Sequence, residues 1–177
     1  MAPRIAARGE GLAGLVLLAG CPVGLYIEKA AEQAEYLVSL DGVIDENEEQ
    51  KLEEIRAQLR TIRELDMSEG EIVLGCSMAY WADLMEYDPV ATASELTIPM
   101  LFCQGERDYQ ITMNDFNGWK EGLAGQKDVS FRAYPELNHL FIAGTGKSTP
   151  AEYGRPGNVA QTVVDDIAGW VNDEPGR

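Results

Sequence analysis

The sequence predicts an α/β fold with about three parallel strands, flanking helices and a helical insertion. The apolar runs at 12–19 and 98–103 have the length and composition of strands buried in a parallel sheet, and residues 129–134, closed by Pro135, are predicted to form the next strand. Amphipathic segments, with apolar residues three and four positions apart, follow these runs. A long and highly charged helical segment separates the first run from the second. We therefore expect an insertion between the first and second strands of the sheet.

A short helix precedes the first strand. Residues 2–8 have a helical pattern, and Gly9 and Gly11 end it. Residues 12–19 are then apolar almost without interruption, which predicts a strand buried on both faces.

Residues 25–92 form the predicted insertion, which contains two amphipathic helices. The second helix begins at the capping pair Asp45 and Glu48. Acidic residues crowd its first turn and arginines its later turns, as the helix dipole favours. The apolar stripes comprise Ala30, Ala34, Leu37 and Val38 in the first helix and Leu52, Ile55, Leu59 and Ile62 in the second.

An acid and a histidine follow the next two strands. Asp108 comes directly after the run at 98–103 and its turn Gln104-Gly105, at the edge where open α/β sheets place their chemistry. A helix capped by Thr112 and Asp115 leads to the strand at 129–134, and His139 lies just beyond it. The carboxylate and the imidazole could together orient and hold a catalytic base.

The remaining polar residues have simpler interpretations. Glu106 and Arg107 are expected to form a local ion pair. Asp165 and Asp166 are expected on the solvated face of the final helix. That helix is expected to be capped by Asn158 and Gln161 and to bury Val159, Val163, Ile167 and Trp170.

Two segments carry a family resemblance. IPMLFCQGERD and YPELNHLF resemble the last two core strands of the α/β-hydrolase superfamily, most closely its dienelactone-hydrolase-like and prolyl-oligopeptidase-like serine hydrolases. The resemblance implies that Asp108 is the triad acid and His139 the base. The opening segment APRIAAR resembles the tail of the helix that follows the Gly-x-Ser-x-Gly nucleophile elbow. This resemblance implies the C-terminal part of an α/β-hydrolase fold, with the elbow before residue 1.

The resemblance also suggests three parts of the chain. Residues 1–24 would be a remnant of the core, residues 25–92 a helical cap over the active site, and residues 93–177 the C-terminal core with the acid and histidine loops. A solvated helical hairpin without a ligand role remains the alternative for the insertion.

Ser77 offers a competing nucleophile. Gly75-Cys76-Ser77-Met78-Ala79 fits a relaxed elbow, and Ser77, Asp108 and His139 follow the family's order along the chain. An elbow needs a buried strand before it and a long helix after it, however, and residues 71–74 make a poor buried strand. We therefore favour a connector between the insertion and the core.

Composition limits the partners. A net charge of −16 disfavours nucleic acid and anionic membrane surfaces. Cys21, Cys76 and Cys103 lack metal-ligand spacing, and we expect neither a metal nor a cofactor. The chain opens without the apolar region of a signal peptide, so we expect a cytoplasmic protein.

The implied activity is serine-nucleophile hydrolysis of an ester, thioester or amide bond in a small-molecule substrate. Without an elbow serine, the chain is expected to be inactive alone. One alternative is a non-catalytic subunit that a partner completes. A complementing N-terminal segment or a second copy of the chain would then pair with the exposed edge of the strand at 12–19. The other alternative is an atypical esterase that uses Ser77.

Overall fold

A computed structural model of the protein describes residues 1–24, 26–68 and 70–173. The helices are α1 (Ala2–Ala6), α2 (Lys29–Val38), α3 (Glu46–Glu64), α4 (Met78–Glu86), α5 (Pro89–Ser94), α6 (Met113–Gly122), α7 (Pro150–Tyr153) and α8 (Gln161–Asp173), with 3-10 turns at Tyr26–Glu28 and Ser39–Asp41. The strands are β1 (Leu15–Leu18), β2 (Ile72–Val73), β3 (Cys76–Ser77), β4 (Met100–Gly105) and β5 (Val129–Tyr134). Within the described ranges, no helix has both the length and the apolar composition needed to cross a bilayer.

The chain divides into two compact units. The first, here called the core unit, comprises Met1–Pro22 and Pro89–Arg177, and the second, here called the helical unit, comprises Val23–Asp88. Residue 25, where the sequence analysis starts the insertion, lies outside the described residues. The predicted role of the insertion as a cap stays a prediction.

The core unit contains the predicted parallel sheet, in the order β1-β4-β5. Leu15 of β1 pairs with Met100 of β4, which pairs in turn with Val129 of β5, and both pairings are parallel. The fold class expected from the three predicted strands is therefore confirmed.

Strand β4 is the centre of the core, and all of its residues are buried. Because side chains alternate along a strand, Met100 and Phe102 face one layer of helices while Leu101 and Cys103 face the other. The first pair packs with Leu17, Ala93, Phe116, Trp119 and Leu123, and the second with Tyr134, Leu137, Phe141 and Val163. Burial on both faces explains the unbroken apolar run of this strand.

Strand β1 differs from the prediction. Only Leu15–Leu18 forms a strand. Its last residue, Leu18, is 48% exposed and therefore not buried as predicted. Among the described residues, no strand pairs with the other edge of β1. An edge position explains why an apolar run that predicts burial on both faces is only partly covered.

The final helix begins later than predicted. It starts at Gln161. Val159, which was predicted to be buried by this helix, is 47% exposed. The backbone N–H of Ala160 donates to the Phe141 carbonyl at 2.9 Å, which holds the preceding residues outside the helix. Val163, Ile167 and Trp170 do pack on the core as expected.

The helical unit has its own apolar cluster, formed by Ile62, Met67, Trp81 and Leu84. Its longest helix, α3, starts with the predicted capping pair. The backbone N–H of Glu48 donates to Asp45 Oδ1 at 2.8 Å, and that of Asp45 donates to Glu48 Oε2 at 3.0 Å. Local capping and an internal cluster make this unit compact by itself.

Candidate active site

The carboxyl ends of β4 and β5 meet at one edge of the sheet, because the two strands are parallel neighbours. Gly105 pairs with Tyr134 at this edge. Beyond it, the backbone N–H of Glu106 donates to the Tyr134 carbonyl at 3.0 Å, and that of Arg107 to the Leu137 carbonyl at 3.0 Å. The loop after β4, residues 106–111 (the acid loop), is thus bonded to the loop after β5, residues 135–143 (the histidine loop).

Gly105 allows the two loops to approach each other. A Cβ atom at this position would lie 2.4 Å from the Leu137 carbonyl oxygen and 2.7 Å from that of Asn138. Real Cβ atoms do not come that close to backbone, so a side chain here would push the histidine loop away. The turn signal after the apolar run is therefore also a requirement for the site.

Asp108 and His139 meet at this edge. The distance between Asp108 Oδ2 and His139 Nδ1 is 2.8 Å. The Asp108 side chain is fully buried, whereas that of His139 is 28% exposed. The structure thus brings together the two residues predicted from the sequence, with the imidazole accessible to solvent. Their catalytic role stays a prediction.

Three further donors hold the Asp108 carboxylate. The backbone N–H groups of Gln110 and Ile111 donate to Oδ1 at 2.8 and 3.1 Å, and Gln104 Nε2 donates to Oδ2 at 3.1 Å. Every partner of the carboxylate can thus act as a donor, as an ionised, accept-only group requires. This arrangement fixes the rotation of the carboxylate before any substrate binds.

Gln104 was missed by the sequence analysis as a site residue. It is fully buried at the end of β4, and its amide nitrogen also contacts the carbonyl oxygens of Gly105 (3.0 Å) and Ile111 (2.8 Å). All three neighbours are acceptors, so the amide orientation is determined by the contacts. The available signal was an amide at the end of an otherwise apolar strand.

The contact with Asp108 also determines the histidine tautomer. Because an ionised carboxylate only accepts, Nδ1 of His139 carries the hydrogen, and a neutral imidazole then has its lone pair on Nε2. Within the described part of the core unit, no side chain hydrogen-bonds to Nε2. The free nitrogen is the one that a general base uses.

The histidine loop is held in a tight conformation. Asn138 is fully buried, and its Oδ1 accepts from the backbone N–H groups of Leu140 (3.0 Å) and Ile142 (3.1 Å). Phe141 has φ +57°, the left-handed region that non-glycine residues seldom adopt. A bridge between Leu137 and Ala143 closes the loop. These bonds enclose His139 on both sides.

Arg107 pairs with a different acid from the one predicted. Its Nη2 forms a short ion pair with Glu152 Oε1, while Glu106, the expected partner, is exposed. Burial raises the pKa of Glu152, but hydrogen bonds from Arg107 and Asn138 and the charge of Arg107 outweigh it, so the pKa lies below the ordinary value of 4.5. Glu152 is far away in sequence, which explains why local pairing with Glu106 was the wrong expectation.

Asp166 also differs from the prediction. It is half-buried and accepts a hydrogen bond from the Tyr134 hydroxyl at 2.9 Å, whereas Asp165 lies on the exposed face as expected. Burial and the hydrogen bond to Asp166 raise the pKa of Tyr134 far above its usual range. This tyrosine therefore stays protonated and ties α8 to β5.

Ser77 lies in the helical unit, in a two-residue strand that pairs antiparallel with β2. The turn between β2 and β3 has positive φ at Leu74 and Gly75, as in a tight hairpin. Ser77 itself has φ −79° and ψ 162°, ordinary extended backbone directly before α4. The strained strand-to-helix turn that exposes an elbow serine is not formed here.

In the residues that the structure describes, no group of three or more His, Cys, Asp or Glu side chains could hold a metal ion. Cys21, Cys76 and Cys103 form no disulfide with one another, and Cys103 is buried in β4. Burial raises the pKa of the Cys103 thiol, which keeps it in its unreactive form.

Comparison with known proteins identifies an esterase as a relative. The chain is 39% identical over 172 residues to Esterase EstD of Thermotoga maritima, an alignment that covers 97% of this chain and 40% of that protein. The chain therefore spans well under half the length of this curated relative. No family model matches the chain.

A solved structure is also similar. It is the crystal structure of a protein named Putative Dienelactone Hydrolase, from Klebsiella pneumoniae subsp. pneumoniae MGH 78578. The TM-score is 0.38 and the identity 22%, over 59% of this chain and 38% of that one. The chain is thus similar in sequence to an esterase along nearly its whole length, and its core unit is a parallel three-stranded sheet with flanking helices.

Proposed function

We propose that this chain supplies the acid and the base of a serine hydrolase site that cleaves carboxylic ester, thioester or amide bonds. The observation that carries the proposal is the 2.8 Å contact between a fully buried Asp108 and a solvent-accessible His139 at the carboxyl edge of a parallel sheet. The sequence similarity to an esterase, 39% identity in an alignment that covers 97% of the chain, supports the reaction class.

In the proposed reaction, His139 Nε2 takes the proton of a serine hydroxyl as the serine oxygen attacks the substrate carbonyl. The imidazolium that forms is stabilised by the Asp108 carboxylate. It then gives the proton to the leaving alcohol, thiol or amine, which leaves an acyl-enzyme. Water, deprotonated by the same nitrogen, hydrolyses the acyl-enzyme and restores the serine.

The serine would come from outside this chain. Within the described core unit, no hydroxyl bonds to Nε2 of His139, and Ser77 has neither the parallel strand nor the strained turn of an elbow. EstD is longer than the match, so a protein of that kind has room for a nucleophile segment. We therefore propose that the chain alone is inactive.

A chimera tests this function. The chain replaces the matching segment of EstD, and both the chimera and the chain alone receive a fluorophosphonate label and a short p-nitrophenyl ester. We expect labelling and hydrolysis in the chimera only, with the label on a serine contributed by EstD. For the chain alone, hydrolysis should match that of its His139→Ala variant. Stoichiometric labelling of Ser77 in the chain alone would contradict the assignment.

The second candidate is a subunit that a partner completes, and the edge of β1 that no strand of the described residues covers favours it. Leu18 is 48% exposed there, and unpaired backbone groups at such an edge accept another strand. The partner would be a complementing segment or a second copy of the chain. Light scattering tests the second copy: a dimer that Leu18→Lys converts to monomer supports it, and a wild-type monomer argues against it.

A further inference from the structure

Four polar side chains form a cluster beside the Asp108–His139 pair that the proposed reaction does not use. They are Arg107, Asn138, Ser148 and Glu152. Glu152 is the common partner: its Oε1 pairs with Arg107, and its Oε2 accepts from Asn138 Nδ2 at 3.0 Å and from Ser148 Oγ at 3.2 Å. Asn138 and Ser148 are buried, and the Arg107 side chain is only 9% exposed. Glu152 itself is 21% exposed, so the cluster is mostly but not completely shielded from water.

Arg107 ties the acid loop to the start of the histidine loop and to the residues just after its end. Its Nε donates to the Gly146 carbonyl at 2.9 Å, and its Nη1 and Nη2 donate to the carbonyls of Glu136 (3.4 Å) and Thr145 (3.3 Å). A Cβ on Gly144 would lie 2.2 Å from Nη1, so the guanidinium lies directly against this backbone. Arg107 thus fixes the segments that flank His139, and it is next to Asp108 in sequence.

Asn138 connects Glu152 to His139. Its amide oxygen accepts from Leu140 and Ile142, which bends the backbone around His139, and its amide nitrogen donates to Glu152. An amide side chain is held in one orientation only while both of its ends have the correct partners. Loss of the Glu152 carboxylate would leave that nitrogen without its acceptor and the Arg107 guanidinium without its counter-charge.

We propose that Glu152 is a positioning residue for His139. Acting through Asn138, it holds the histidine loop in the conformation that keeps Nδ1 of His139 on Asp108, and it supplies the counter-charge for Arg107. The inference depends on the proposed role of His139 as base, but its geometry can be tested without any activity. The depressed pKa of Glu152 fits a carboxylate that stays charged in this role.

The test uses the fact that the chain contains one histidine. A long-range ¹H–¹⁵N spectrum of the whole chain therefore reports one imidazole and shows which ring nitrogen carries the hydrogen. The Nδ1–H form should dominate in the wild type. In Glu152→Ala the ratio of the Nδ1–H to the Nε2–H form should fall about tenfold, as expected for a weakened hydrogen bond. Glu152→Asp, which keeps the charge, should restore part of it.

Glu106→Ala is the matched control. It removes an exposed carboxylate next to Arg107, the one that sequence proximity suggests as partner, and should leave the spectrum unchanged. Near-ultraviolet circular dichroism checks that each variant is folded. If Glu152→Ala does not fold, Glu152→Gln takes its place: it keeps an acceptor oxygen for Asn138 but loses the counter-charge of Arg107, so a smaller shift in the same direction is expected. A wild-type spectrum in the folded variant overturns the inference.

Asp108→Ala separates this inference from the proposed function. A shift in Asp108→Ala without one in the Glu152 variants would contradict the positioning role while the acid–base pair stands. If Asp108→Ala itself leaves the Nδ1–H form dominant, the pair is not formed in solution, and both proposals are overturned.

Discussion

Two regions of the molecule resemble parts of a serine hydrolase triad, but their backbone surroundings differ. One region comprises the loops that carry Asp108 and His139, and the other is the hairpin that carries Ser77. The loops follow parallel strands and are joined by backbone hydrogen bonds, with Asp108 held by three donors besides His139. The hairpin is two short antiparallel strands, and Ser77 is exposed in ordinary extended backbone.

The difference shows what a motif requires beyond residue order. Ser77, Asp108 and His139 follow the nucleophile, acid, histidine order that α/β-hydrolases have along the chain. This order alone gives no reason to reject Ser77. What separates the two regions is whether buried strands and hydrogen bonds fix a side chain before substrate arrives. Catalysis depends on such preorganisation.

The largest effect that would test this comparison is kinetic. In the EstD chimera, we expect His139→Ala to lower kcat about 10⁶-fold and Asp108→Ala about 10⁴-fold, because each is part of one proton-transfer unit. Ser77→Ala should leave kcat within about twofold, since a side chain outside the chemistry contributes little transition-state stabilisation. Steady-state hydrolysis of a p-nitrophenyl ester measures all three, and a collapse in Ser77→Ala alone would reverse the comparison.

A pair of glycine substitutions compares the regions structurally. Gly105→Ala should destabilise the protein by about 1–3 kcal/mol, because the new Cβ collides with backbone of the histidine loop. Gly75→Ala should cost about 1–2 kcal/mol through its φ of +80° alone, since nothing lies near the added atom. Urea denaturation measures both effects. Only Gly105→Ala should also alter the His139 imidazole spectrum, and an equal change in Gly75→Ala would contradict this view.

A helix cap tests whether the helical unit depends on its own local interactions. Asp45→Ala removes the acceptor that caps α3 and should cost about 1 kcal/mol, seen as an earlier loss of helical circular dichroism on heating. Asp45→Asn, which keeps an acceptor oxygen, should recover most of the loss. The spectrum of His139 should stay unchanged in both, and any change would mean that the site senses this helix.

The smallest effect is a dependence of stability on pH. Because the pKa of Glu152 is depressed by folding, its contribution is present above its ordinary value of 4.5 and is lost as the pH falls through the folded-state value. The melting temperature should therefore fall in acid, and it should fall less steeply in Glu152→Gln. Arg107 is the charged group that faces Glu152, and it is present in both proteins. If the melting temperature falls equally steeply with pH in the wild type and in Glu152→Gln, Glu152 does not contribute to the pH dependence of stability.

Local sequence patterns predicted much of the fold and the central pair. The run at 98–103 gave β4 because burial on both faces leaves an unbroken apolar signal. Residues 129–134 gave β5 although only Tyr134 of that strand is buried. Asp108 and His139 followed because parallel neighbours end at one edge. The limits of β1 and α8 were wrong, since an edge position at Leu18 and a backbone bond at Ala160 override the apolar pattern.

The supporting side chains could not be predicted in the same way. Glu152 is distant in sequence from Arg107 and Asn138, so no spacing rule connects these residues. Glu106 is the acid next to Arg107 in sequence, although Glu152 is its partner in the structure. Gln104 looked like part of a turn although its amide holds the Asp108 carboxylate. Such contacts arise only from tertiary packing.

The pairing of β1 with β4 also has a consequence for synthesis. Leu15 must find Met100 after the whole helical unit has been made, and at about 5–20 residues per second that interval lasts on the order of ten seconds. During this time β1 is an apolar segment without its strand partner, the kind of segment that chaperones bind and that aggregates when crowded. The helical unit, with its capped helix and internal cluster, can fold in that interval. The edge that unites Asp108 and His139 therefore forms only after β5 leaves the ribosome.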